Sequence, residues 1–188
     1  MRERLLFLGQ MIRRWRVTGA VAPSGGGLAR AMTDAVGEVA DGQVILELGP
    51  GTGVFTRELV RRFPRARVVA IEVNGVFASR LSTTMPGVTV VTGCATRLGE
   101  HLAALGVTSR DVAAVVSGLP LLSLPGNLPQ QVLASVAGAL GPGRRFVQFT
   151  YSERAWRRFD VVGFRRHPPQ RVWRNLPPAF VLPFTRDE

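Results

Sequence analysis

A chain of 188 residues, 46% of them apolar, is long enough to bury one substantial core and has the size of a single domain. All 24 basic residues are arginine against 13 acids, and the formal charge of +11 points to an anionic partner met by planar, bidentate contacts. A single cysteine, Cys94, excludes an internal disulfide and a thiolate metal cluster and fits a reducing, cytoplasmic setting, while two histidines and scattered acids give no metal-ligand spacing.

No apolar run approaches the roughly 20 residues that span a bilayer. The Leu5 to Leu8 patch is too short for a signal-peptide core before Arg13 and Arg14 interrupt it, so Ala20-Val21-Ala22 is only a look-alike cleavage site. Over residues 1–16, Leu5, Leu8, Met11, Ile12 and Trp15 recur at three- and four-residue steps among arginines, which predicts a short basic amphipathic helix. Such a helix either packs on the domain's own core or lies in a membrane surface with Leu5, Leu8, Ile12 and Trp15 in the acyl boundary. After a Gly19 to Ser24 linker, Ser24 is placed to cap a helix over residues 25–36, weakened at its first turn by consecutive glycines.

The next stretch alternates. Strands are predicted at residues 44–48, 67–73, 88–92 and 112–117, with helices at 52–63, 76–85 and near 98–105 between them. A helix at 127–140 ends in Gly141-Pro142-Gly143 and leads to a fifth strand at 145–151. Residues 159–166 and 171–182 are rich in Val, Phe and Trp around the turn-like His167-Pro168-Pro169, and read as a closing antiparallel hairpin. The fold class is therefore α/β, a Rossmann-like, mostly parallel seven-stranded sheet with a C-terminal antiparallel hairpin and an N-terminal amphipathic helix.

Chemistry concentrates at the strand ends. Gly49, Gly51 and Gly53 follow the first strand and open a helix, so the backbone can turn sharply and approach a ligand that a Cβ would exclude. A dinucleotide site uses the same logic but has Gly-x-Gly-x-x-Gly and places pyrophosphate on the helix amides. Here the turn is Gly-x-Gly-x-Gly after Glu47, a carboxylate that attracts a cationic ligand, and it resembles the cofactor loop of S-adenosylmethionine methyltransferases. Glu72 ends the second strand, where a carboxylate can accept both ribose hydroxyls. Gly93-Cys94-Ala95 follows the third strand where that superfamily often has Gly-Asp-Ala. Because a thiol is a poor acceptor, adenine recognition falls to a backbone amide and to packing by Val73 and Leu98.

Ser117-Gly118-Leu119-Pro120 ends the fourth strand, beside the expected methyl group. Enzymes that methylate base amino groups resemble this arrangement but carry Asn or Asp first and an aromatic last, where this chain has Ser117 and Leu121. The site suits an acyl chain or compact amine better than a flat base. Asn175-Leu176-Pro177-Pro178 mimics the base-methylating motif but falls in the final hairpin, where a bulge or turn role is expected.

Taken with Gly19-Ala20-Val21-Ala22-Pro23-Ser24, these segments make the chain similar to bacterial phospholipid N-methyltransferases along nearly its whole length. The resemblance implies methylation of phosphatidylethanolamine through mono- and dimethyl forms toward phosphatidylcholine. It also implies a cytoplasmic enzyme peripherally attached to the inner face of the membrane, with residues 1–16 as the surface helix, residues 17–188 as the methyltransferase domain, and no nucleic acid partner. Position comes before nucleophile activation in such a transfer, yet an alkylammonium with a pKa of roughly 10 must first lose a proton. Tyr151, ending the fifth strand, either orients the amine or passes its proton to water, or else is a core-edge aromatic. Arg16, Arg30, Arg144, Arg145, His167 and Arg171 are the candidate phosphate ligands, and Ser117 borders both cofactor and acceptor. Two rivals remain: an RNA adenine dimethylase, which the charge would suit, and a noncatalytic relative.

Overall fold

The computed structural model describes residues 25–152, 161–173 and 177–188. The expected amphipathic helix with Leu5, Leu8, Ile12, Trp15 and Arg16 lies outside these residues, as does Ser24. The first described helix, α1 (Gly26–Asp34), has Gly25 at its cap position with no side-chain cap bond.

In chain order the remaining elements are β1 (Val44–Leu48), α2 (Val54–Arg62), β2 (Arg67–Glu72), α3 (Gly75–Thr84), β3 (Thr89–Thr92) and α4 (Leu98–Ala104). They continue with β4 (Val112–Ser117), α5 (Leu128–Ala139), β5 (Arg145–Thr150), β6 (Phe164–Arg166), β7 (Gln170–Val172) and β8 (Ala179–Arg186). Short 3-10 turns at Ala95–Arg97 and Leu121–Ser123 lead into α4 and α5.

The sheet order is β3-β2-β1-β4-β5-β8-β6, with β7 also on β8. Strands β1 to β5 are parallel and β8 returns antiparallel along β5. Every residue of β1 and β4 is buried, as a central parallel strand covered on both faces requires. Leu28, Met32, Phe55, Leu59, Leu81 and Val181 form the core on the face of α1 to α3. Leu98, Leu102, Val132, Val136, Phe146 and Phe184 form the core on the face of α4 and α5. Each such side chain contributes roughly 1.5–3 kcal/mol by leaving water.

The expected hairpin is present, but its turn is elsewhere. β6 and β7 do not pair with each other; both pair with β8, so they are two segments of one broken edge strand, and the antiparallel return comes between Val172 and Ala179. The step from Arg166 to Gln170 is matched on β8 by the shorter step from Phe184 to Val181, which leaves one extra residue at His167-Pro168-Pro169. The physical reason is that proline cannot donate to a ladder and is tolerated on an edge strand at a bulge. The seven strand positions expected are thus filled by eight segments. Asn175 and Leu176 lie outside the described residues; Pro177 and Pro178 immediately precede β8.

Candidate active site

Three glycines just beyond strand ends hold the C-terminal edge of the sheet together. Gly49 N donates to Ile71 O at 2.9 Å, Gly93 N to Glu72 O at 3.0 Å, and Gly118 N to Leu48 O at 2.8 Å. A Cβ on Gly49, whose φ is +67°, would stand 2.6 Å from Leu119 Cδ2, and one on Gly118 would stand 2.9 Å from the Gly49 carbonyl oxygen. The two turns after β1 and β4 therefore pack backbone to backbone. Gly51 and Gly53 also take positive φ, and Gly53 opens α2. The requirement for glycine at 118 was not read from sequence; its signal is the small residue immediately after a fully buried strand.

Between these turns and α5 runs a cleft of about 410 Å³, counting its solvent-open part. It brings together Gly49, Glu72, Val73, Gly93, Cys94 and Ala95 of the expected cofactor set. Its remaining wall includes Ile71, Thr96, Leu119, Leu124, Leu128 and Val132. The last four come from the β4 turn and from α5, elements whose inward faces cannot be assigned without the fold. Leu98 is not in the wall: at the start of α4 its side chain is fully buried in the core beside Leu102 and Val136.

Both Glu72 oxygens are already engaged, Oε2 by Gly51 N at 3.1 Å and Oε1 by Asn74 N at 2.9 Å, so the carboxylate braces the glycine turn while keeping lone pairs for a ligand. Cys94 Sγ accepts from the Thr96 hydroxyl at 3.1 Å, and the Cys94 carbonyl accepts from His101 Nε2 at 3.1 Å. The thiol is thus a wall of the cleft, and the His101 ring fills the space a Gly93 side chain would need.

Glu47 is fully buried, and neither carboxylate oxygen has a hydrogen-bond partner. Burial pushes its pKa up from 4.5 to about 7; the hydroxyl and amide of Thr56 nearby oppose this in part, and the Glu72 carboxylate adds to it. Glu47 is not in the cleft wall; it lies buried two residues before Gly49, which is. Two carboxylates, a glycine turn and apolar walls fit S-adenosylmethionine, which carries an ammonium, a ribose and a purine.

Ser117 is also fully buried, and its Oγ accepts from Leu119 N at 3.3 Å, so the hydroxyl shapes the β4 turn. Tyr151 lies just past β5 and packs edge-on against Phe149, 5.5 Å between ring centroids, on the α1–α2 face and outside the cleft wall. Of the expected phosphate ligands, Arg144 and Arg145 stand at the start of β5, and the residues from there to Gln148, which faces Ser117, rise about 3.3 Å each away from them. They belong to the opposite end of the sheet, as does His167, which bonds the Thr185 hydroxyl at 2.7 Å. Burial, with Arg145 and Arg165 nearby, holds the His167 pKa below its ordinary value and disfavours a cationic role. Arg30 is exposed on α1. Arg171 sits at the cleft end of the sheet, 3.7 Å over the ring of exposed Trp173. No group of three or more metal-ligating side chains occurs among the described residues.

Near-full-length similarity comes from the ornithine lipid N-methyltransferase of Singulisphaera acidiphila, 33% identical over 95% of this chain and 94% of that protein. The chain belongs to this relative's family of S-adenosylmethionine-dependent methyltransferases. A family model described as ribosomal RNA adenine dimethylase matches residues 33–93. The ribosomal RNA small subunit methyltransferase A of Deinococcus radiodurans is 35% identical over 57% of the chain, which spans 38% of that protein. Among solved structures, a Burkholderia thailandensis 1,6-didemethyltoxoflavin-N1-methyltransferase with bound S-adenosylhomocysteine superposes with a TM-score of 0.70 at 14% identity, covering 97% of this chain and 88% of that one. That likeness establishes the fold. The cofactor of this methyltransferase is S-adenosylmethionine, and the match to the adenine dimethylase family model ends at residue 93, before the β4 turn.

Proposed function

We propose that this enzyme methylates the headgroup amine of a membrane aminolipid: phosphatidylethanolamine and its mono- and dimethyl derivatives, or an ornithine lipid. The observation that carries the reading is the near-full-length similarity to a lipid N-methyltransferase. The acceptor end supports it. Leu119 lines the cleft and Leu121 is buried where a base-methylating enzyme has its stacking aromatic. Exposed Val76, Leu122 and Trp173 all follow strand ends on the same edge of the sheet, with Arg171 stacked on Trp173. Such an apolar rim with a cation and a tryptophan suits the headgroup boundary of a bilayer.

When bound, S-adenosylmethionine supplies a methyl group on a sulfonium; the amine lone pair forms the N–C bond as the S–C bond breaks, and that electron pair stays on sulfur. The chain's own contribution is placement. Glu47 holds the cofactor's ammonium, Glu72 its ribose, and Val73, Cys94 and Ala95 flank its purine. Arg171, rather than Arg144, Arg145 or His167, meets the lipid's anionic group. The proton shed by the incoming ammonium leaves to water. Residues 1–16 anchor the domain, residues 17–188, peripherally on the cytoplasmic face of the membrane.

Expression in a host whose lipids lack methylated headgroups, followed by mass spectrometry of the lipid extract, tests the reading. New species differing by whole methyl groups are expected. An unchanged lipid profile from cells containing folded, cofactor-binding protein contradicts it.

A further inference from the structure

The β4 turn lacks the Asn or Asp expected of base-methylating enzymes, and Ser117 in that place is fully buried with its Oγ accepting from Leu119 N. Directly opposite Ser117 on β5 stands Gln148, only 3% exposed. Its Nε2 donates to Leu119 O at 2.9 Å and to Phe149 O at 2.8 Å, which uses both amide hydrogens and fixes the amide plane. Its Oε1 is buried with no hydrogen-bond partner. Leaving such an acceptor unmade is costly, which marks Oε1 as a place for a ligand's N–H. Gln148 is not itself in the cleft wall; through the Leu119 carbonyl its amide is tied to Leu119, which is.

We propose that Gln148 is the substrate-positioning residue of the transfer: Oε1 accepts an N–H of the acceptor amine and so aims its lone pair at the methyl carbon. This rests on the aminolipid reading and names the group that enforces it. In the step, one proton of the ammonium passes to water, a remaining N–H stays on Oε1, and the lone pair thus freed forms the N–C bond. A neutral primary amine offers two N–H groups, a monomethyl amine one and a dimethyl amine none. The contribution of Gln148 must therefore vanish at the third transfer.

Gln148→Met, similar in length but without an acceptor, separates this role from a structural one. For the first and second transfers kcat/KM is expected to fall about tenfold or more, while the third transfer and the affinity for S-adenosylhomocysteine stay within about threefold. Equal loss at all three transfers, or loss at none, overturns the proposal. Should Gln148→Met fail to fold, Gln148→Asn, which keeps an amide but draws its acceptor oxygen back by one methylene, is expected to lower the ratio of first to third transfer; an unchanged ratio overturns the proposal. Calorimetry of the S-adenosylhomocysteine-loaded protein gives a readout independent of turnover. The parent is expected to prefer a dispersed short-chain primary-amine headgroup over its trimethyl form, and Gln148→Met to lose that preference. Absence of discrimination in the parent overturns the role of Gln148, whereas discrimination without methylation of any lipid counts against the aminolipid reading alone.

Discussion

Burial of Glu47 makes the stability of the unliganded protein depend on pH. Its carboxyl moves from 4.5 to about 7 on folding because burial disfavours the charge, so the native state holds the proton more tightly than the unfolded chain. The associated stability is fully present below pH 4.5 and is lost as pH rises through 7, at most about 3 kcal/mol. Glu47→Gln mimics the protonated form at every pH. Without cofactor it should match the parent at pH 4 and unfold at higher denaturant concentration at pH 8, while its affinity for the cofactor falls about tenfold or more. A denaturant titration at the two pH values checks the first expectation, and calorimetry the second. Gly49→Ala meets a different obstacle, since positive φ and the Leu119 methyl both oppose the new Cβ. A loss of about 1–3 kcal/mol is expected in a melting experiment. Both carboxylates and the glycines were legible in sequence because their spacing follows a buried strand. Gln148 was not, because its meaning depends on facing Ser117 across two strands joined by a helix.

At the level of elements, β1 to β5 and the helices between them follow from alternating periodicity, and their observed bounds lie within a few residues of those read from sequence. What sequence could not supply is which faces meet. α5 was readable as a helix, yet only its placement over the β4 turn puts Leu128 and Val132 in the cleft wall. Leu128 is half-buried, so Leu128→Phe should narrow the cleft at little structural cost. An increase of about tenfold in the cofactor dissociation constant is expected, with a melting temperature near that of the parent. An unchanged dissociation constant would remove Leu128 from the binding surface. The hairpin was misplaced for a related reason. Pro168-Pro169 signals a turn in isolation, but β8 is long enough to pair on both sides of it, and the prolines then become an edge bulge. The same pairing displaces His167 and leaves Arg171 at the cleft end.

For the whole molecule, a charge of +11 and an apolar rim at one end of the sheet make orientation on an anionic surface the expected behaviour. Deleting residues 1–14 should release the protein from anionic vesicles while leaving cofactor affinity intact; sedimentation with vesicles measures this, and binding that survives deletion would assign attachment to the rim. The charge alone would suit RNA equally, so the acceptor must be decided chemically. The most direct measurement incubates the full chain with methyl-labelled S-adenosylmethionine and vesicles of phosphatidylethanolamine, its mono- and dimethyl forms, or ornithine lipid, with structured RNA in parallel. The expected result is label in lipid, absent with Glu47→Ala; label in RNA alone, or none in any lipid despite cofactor binding, would contradict an aminolipid methyltransferase.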